Sequence, residues 1–194
     1  KLEGDCRLHC ELAQAGFAAE DIKIVIGTHL HGDHCGGNTV LTPDGAIRPA
    51  FPSATYMAQR LELADATYPN ERTRNAYFAE NFLPLVNLCS GRSGDSIMQV
   101  LSGDTQITPE VRTLITPGHT RAHQVVIIES AGETGVFLAD AAPHAVTLEK
   151  LAWVAAFDAE PLVSMETKRS LRDWAWRKDA LLFFQHDDTM AAGR

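Results

Sequence analysis

Apolar positions along this chain fall into short runs, most of them closed by glycine, proline or a polar pair, and they predict alternating helices and strands. Asp5 to Ala15 suits a helix stopped by Gly16, followed by a buried strand from Lys23 to Gly27. A Gly/Pro-bearing stretch, Thr42 to Pro52, leads to a short strand at Ala54 to Met57 and a helix at Gln59 to Ala66. Pro69-Asn70-Glu71 reads as a turn in which Asn70 caps a second helix running toward Asn81. From Gly91 to Glu129 the pattern shifts to strands: Ile97 to Leu101, Val111 to Thr116 and Gln124 to Glu129. Val136 to Ala139 is a further strand, Ser164 to Asp179 a helix, and Leu181 to Phe184 a last apolar run.

What these runs release at their ends carries the chemistry. Directly after Ile22-Lys23-Ile24-Val25-Ile26 stands Thr28-His29-Leu30-His31-Gly32-Asp33-His34, an H-x-H-x-D-H cluster. A strand that ends in such a loop projects imidazoles and a carboxylate into one small volume, the donor set of divalent transition metals. Three further runs end the same way, at His119 of Thr116-Pro117-Gly118-His119, at Asp140, and at His186. Buried strands that present polar residues at one edge of a sheet are how rigid scaffolds hold sites. The expectation is an α/β protein with a metal site along a sheet edge.

Composition narrows the class. The chain has 194 residues, 45% hydrophobic and 22% charged, with a net charge of −8, which suits one sizeable domain (1–194) with a core. No Lys/Arg block exists to bind nucleic acid, and no run of about 18 apolar residues exists to span a membrane. Cys6, Cys10, Cys35 and Cys89 lack the pattern of a secreted disulfide scaffold, so a reducing, cytoplasmic compartment is expected. Cys6 and Cys10 fall on one face of the first helix, where packing is the simpler role. The opening Lys1-Leu2-Glu3 lacks an initiator Met, and a longer parent protein is expected.

His29, His31, Asp33 and His34, taken with His119, Asp140 and His186 in that order, resemble the metallo-β-lactamase fold superfamily over nearly the whole chain. The resemblance implies an αβ/βα four-layer sandwich with two sheets inside and helices outside, lacking here part of its N-terminal half. That missing half is β-rich, carries an Asp-Thr-Gly segment, and would leave an apolar face bare. The resemblance further implies that His29, His31 and His119 hold one divalent ion, that Asp33, His34 and His186 hold a second, and that Asp140 bridges both. Zinc is expected, with Mn or Fe tolerated by the harder second set. Two ions about 3.5–4 Å apart share a hydroxide that attacks a carbonyl and clamp the reacting oxygens.

The bridging Asp140 points away from the β-lactamases of the superfamily and toward its lactonase, thioesterase and organophosphate-hydrolase-like branches. Pro69 to Arg74, Trp153 to Pro161 and Phe184 to Asp187 also look like a bacterial hydrolase branch near the lactonases. The expected activity is hydrolysis of an ester or lactone bond of a small molecule. Alternatives are a thioester hydrolase of the glyoxalase II type, a phosphoester hydrolase or a β-lactamase, and, outside the hydrolases, an iron-dependent persulfide dioxygenase-like enzyme. Asp33 is expected to orient the nucleophile, and His144, four residues after Asp140, to donate a proton to the leaving group.

Other residues have two readings. His123 is either a support behind a ligand or a polar residue at a strand entrance. Cys35 suits a small buried filler, and Gly36 and Gly37 a tight turn behind the metal. Tyr68, Tyr77 and Arg72 flank a possible lid. Trp153, Trp174 and Trp176 suit packing, with Trp153 as a pocket wall. His9 suits a helix surface. The oligomeric state is left open.

Overall fold

The helix predicted at the start is α1 (Arg7–Gln14) in the computed structural model, which describes residues 7–88 and 96–194. It stops where Gly16 takes φ +87° and its N–H bonds the Ala13 carbonyl, the left-handed cap that glycine allows at no steric cost. Cys6 and Cys89 lie outside the described residues. These residues divide into two units by their contacts. One takes in the residues up to Ala58 and from Leu63 to Val100; the other takes in Gln59–Glu62 and Leu101–Arg194.

In the first unit, β1 (Ile24–Ile26) leads into α2 (Gly32–Cys35). The antiparallel pair β2 (Thr39–Leu41) and β3 (Ile47–Pro49) follows, and then β4 (Thr55–Gln59) and α3 (Arg60–Thr67). The α4 helix (Leu83–Asn87) and β5 (Met98–Leu101) complete it, and the sheet runs β1-β4-β5 with β1 parallel to β4. Because β1 is an edge strand it is only half covered, and Ile24 is 37% exposed; the expectation of a fully buried strand is corrected. The predicted loop after it holds one turn of helix. Leu30, Cys35, Phe51, Tyr56, Phe82 and Leu85 form the core, each large apolar side chain contributing about 1.5–3 kcal/mol by its removal from water.

The helix expected from Asn70 to Asn81 is not formed. Asn70 does behave as a cap, its Oδ1 accepting the N–H groups of Arg72 (2.9 Å) and Thr73 (3.1 Å). Turns and one short 3₁₀ segment (Ala79–Asn81) follow instead, because Tyr77 is drawn out to make an antiparallel bridge with His31 and a helical residue cannot do so.

The second unit is built on a six-stranded sheet. Its strands are β6 (Thr105–Gln106), β7 (Val111–Ile115), β8 (Gln124–Ser130) and β9 (Glu133–Phe137). Helices α5 (Ala145–Glu149) and α6 (Pro161–Lys178) come next, before β10 (Leu181–Phe183) and β11 (Ala192–Gly193). The order is β11-β10-β9-β8-β7-β6, with β10 parallel to β9 and the other pairs antiparallel. Val125, Ile127, Val136, Leu138, Leu182 and Phe184 bury their side chains with Leu171 and Ala175 of α6. The buried face of α6 is Ser164, Lys168, Leu171 and Ala175, a helical stripe with one cation in it. The predicted strand to Ala139 stops at Phe137, since Ala139 takes φ +44° and opens a 3₁₀ turn holding Asp140.

Of the tryptophans, Trp174 packs on the core, but Trp153 is half exposed and Trp176 is 85% exposed, so packing does not account for all three. No helix among the described residues is long and apolar enough to cross a membrane.

Candidate metal centre

Each unit carries one group of the predicted ligands. In the first, β1 is tied to β4 through the Gly27 N–H and the Met57 carbonyl (2.8 Å), and the chain then turns into α2. That junction gathers the imidazoles: His29 lies 4.5 Å from His31, edge to face, and 4.0 Å from His34, tilted, between ring centroids. His34 Nε2 is 3.3 Å from Asp33 Oδ2, and the Asp33 side chain is 61% exposed. Tyr77 covers His31 at 4.8 Å, edge to face, which makes it a wall of this group rather than a mobile lid residue. Tyr68 stands in solvent.

Cys35 is buried and donates to the Leu30 carbonyl, the small filler expected. Gly36 and Gly37 form the tight turn expected, as the two central residues of a turn in which the Asn38 N–H bonds the Cys35 carbonyl (3.0 Å). At Gly32, where the chain enters α2, a Cβ would fall 2.3 Å from the Phe78 ring.

In the second unit three strand ends converge on one carboxylate. Asp140 Oδ2 lies 3.1 Å from His119 Nε2, and Asp140 Oδ1 lies 3.2 Å from His186 Nε2. His119 is buried, and its other nitrogen, Nδ1, is 2.9 Å from Asp158 Oδ1. Burial pushes the His119 pKa down, but hydrogen bonds and charge from Asp140 and Asp158 outweigh it and raise the pKa to about 9. An imidazole held between two carboxylates marks a pocket that favours positive charge, and the donor set fits a divalent cation bound at Nε2.

His123 resolves toward support. Its Nε2 accepts the Asp140 N–H (3.3 Å), so its Nδ1–H donates to Thr116 Oγ1 (2.8 Å) and neither nitrogen is left to bind a metal. Asp140 is thus held by its backbone, on a turn where the left-handed Ala139 costs about 1–2 kcal/mol. Strain of this kind beside a charged residue is typical of sites. His144 opens α5, and its loop is stitched to the His186 turn by His186 N–H to the Pro143 carbonyl (3.2 Å) and Ala145 N–H to Asp187 Oδ2 (3.0 Å). Hydrogen bonds from Thr189, Ala145 and Met190 hold the Asp187 carboxyl far below the usual carboxylate range.

Four polar residues of this unit escape a reading of the sequence. Asp158 and Lys168 are buried, as is Glu62, which accepts from Thr120 Oγ1 (2.6 Å), and Gln59, which donates to Gln124 Oε1 (2.8 Å). None of them stands out locally: Lys168, for instance, sits beside Arg169 and near Glu166 on α6.

The chain belongs to the metallo-beta-lactamase superfamily, whose family model matches residues 2–186. It is 29% identical over 188 residues to an N-acyl homoserine lactonase of Bacillus cereus, covering 96% of this chain and 64% of that protein. A solved N-acyl homoserine lactone hydrolase with N-hexanoyl-L-homoserine bound at its catalytic metal centre superposes with a TM-score of 0.71 at 25% identity. That match covers 93% of this chain and 62% of the other. A probable metal-dependent hydrolase from Staphylococcus aureus shares the fold, with a TM-score of 0.83 at 22% identity over 98% of this chain and 64% of its own. The chain therefore spans about 64% of the length of the curated relatives it matches.

Proposed function

We propose that this chain carries the metal centre of a hydrolase that opens the lactone ring of a small molecule, the N-acyl homoserine lactones of its relatives being the candidate class. One observation carries the proposal: the Asp140 carboxylate turns one oxygen to His119 and the other to His186, at 3.1 and 3.2 Å, the disposition a bridging carboxylate needs. In this reading His29, His31 and His119 hold one divalent ion, Asp33, His34 and His186 a second, and Asp140 both. Zinc suits the imidazole-rich set.

Two such ions supply Lewis acidity toward a carbonyl and a water acidic enough to react near neutral pH. The chain's own residues supply orientation and proton traffic. Asp158 and His123 hold His119 and Asp140 in one pose, so little reorganisation is needed on binding. Asp33, beside His34 and open to solvent, takes a proton from the attacking water. His144 gives one to the leaving ring oxygen.

Metal analysis with a hydrolysis panel (lactones, thioesters, phosphotriesters, β-lactams) tests the proposal, with His31→Ala as the blank. Two zinc-class ions per chain with lactone opening are expected. One iron with oxygen consumption, or no lactone turnover by the folded, metal-loaded chain, would overturn it. His144→Ala should lower kcat about 10²-fold with metal content unchanged; an unchanged kcat removes His144 from the role. Asp33→Asn at full turnover does the same for Asp33.

A further inference from the structure

We infer that Lys168 is a positioning residue for the metal centre, clamping the segment from Thr147 to Trp153 so that Asp158 stays on His119 Nδ1. The inference rests on the reading of His119 as a metal ligand.

A lysine in the middle of a helix's buried face is costly unless its ammonium is satisfied. Lys168 is 2% exposed. Its Nζ donates to the Thr147 carbonyl (3.0 Å) in α5 and to the Trp153 carbonyl (2.6 Å) beyond it. Both acceptors are backbone carbonyls, so what the ammonium holds is the path of the chain rather than a side chain. Asp158 is the charge that acts favourably on it. A leucine or methionine at 168 would fill the same stripe but leave both carbonyls without this donor, so the ammonium is matched to the path of this segment.

Only four residues separate Trp153 from Asp158, and the far end of that stretch is pinned to the His119 loop. Asp158 N–H bonds the Ala155 carbonyl (3.1 Å), Ala159 N–H the His119 carbonyl (3.0 Å), and Glu160 N–H the Gly118 carbonyl (2.8 Å). The same helix grips the other side of the ligand loop, for Thr167 Oγ1 donates to the Pro117 carbonyl (2.6 Å). At Gly118 (φ +136°) a Cβ would fall 2.4 Å from Ser164 Oγ. Ser164, Thr167 and Lys168 therefore hold both the loop bearing His119 and the carboxylate that orients its ring. A ring so held donates Nδ1–H to Asp158 and keeps Nε2 for a cation.

The test is zinc affinity of the full chain, by competition with a chromophoric chelator, for Lys168→Met, Asp158→Asn and the double variant. The His119 Nδ1–H proton resonance is recorded alongside. Lys168→Met should bind zinc about 10–100-fold more weakly. The double variant should be no weaker than Asp158→Asn alone, because the lysine acts through the carboxylate. The native Nδ1–H should be slow to exchange and should broaden or vanish in Lys168→Met. Native zinc affinity in Lys168→Met, or full additivity in the double variant, overturns the inference. If Lys168→Met does not fold, Lys168→Gln, which keeps a donor and loses the charge, is read by the same outcomes. A native chain that takes up no zinc overturns the metal site itself, whereas a native chain that does, with Lys168→Met unchanged, overturns only the role of Lys168.

Discussion

His29, His31, Asp33 and His34 come from one strand–helix junction, whereas His119, Asp140 and His186 come from the ends of three different strand runs in the second unit. The first group is gathered locally, because a β-strand leading into a helical turn already brings its rings together. Among its neighbours are the Tyr77 ring and the Thr28 hydroxyl. The second group is braced by ionisable and polar residues on every side: Asp158 on His119, His123 and Thr116 behind Asp140, Lys168 on the connecting segment. Ligands gathered from distant positions carry the cost of holding like charges together, and that cost falls on the fold when no cation is bound.

Removing one histidine from each group tests the contrast most strongly. In the metal-free chain His119→Ala leaves the half-buried Asp140 and the buried Asp158 carboxylates without the imidazole between them, and should cost about 3–5 kcal/mol. His29→Ala removes one ring from a cluster of rings and should cost about 1–2 kcal/mol. All three tryptophans, 153, 174 and 176, lie in the second unit, so their emission in a denaturant titration follows the more sensitive group. Equal losses would remove the distinction.

The two demanding glycines should separate in the same direction. Gly118→Ala meets the Ser164 backbone at 2.5 Å and keeps a positive φ, so strain and overpacking together cost about 3 kcal/mol or more. Gly32→Ala meets only the half-exposed Phe78 ring, which can swing aside, and should cost less than about 1 kcal/mol. Thermal unfolding of the two variants decides it.

A third consequence is a pH dependence belonging to the second group. The folded pKa of His119 is about 9, above the ordinary 6.5, so its contribution is fully present below pH 6.5 and is lost as pH rises through about 9. The metal-free chain should lose about 3 kcal/mol at most across that window, followed by tryptophan emission. Zinc competes with that proton, so zinc affinity should rise over the same window. A flat stability profile from pH 6.5 to 9 would break the account of His119.

How much of this was legible in the sequence follows from the same contrast. The H-x-H-x-D-H cluster stands out because its ligands are neighbours, and His119, Asp140 and His186 because each closes an apolar run. The bracing is hidden. Asp158 precedes Pro161 and α6, where a carboxylate reads as a helix start, and Lys168 sits beside Arg169 and near Glu166 in a stretch that looks solvated. The β2–β3 hairpin is masked by strands of three residues around Pro43-Asp44-Gly45. The false helix after Asn70 arises because local capping is real while the pairing of Tyr77 with His31 is set by tertiary structure.

The smallest effect lies one step further from the ligands. Thr116 Oγ1 accepts the His123 Nδ1–H at 2.8 Å, and this selects the tautomer whose Nε2 can receive the Asp140 N–H. Thr116→Val keeps the shape and removes the acceptor, which leaves a buried N–H unsatisfied at about 1–2 kcal/mol. The alternative tautomer would set two N–H groups against each other at Asp140. Zinc affinity should fall by about tenfold at most, since Asp140 keeps its carboxylate partners and loses only backbone support. The matching change in the first group, Thr28→Val, breaks a longer contact to His29 Nδ1 of 3.3 Å and should cost less. If Thr28→Val proved the more damaging of the two, in stability or in zinc binding, bracing would be as important to the local group as to the scattered one, and the difference between them would lie in sequence spacing alone.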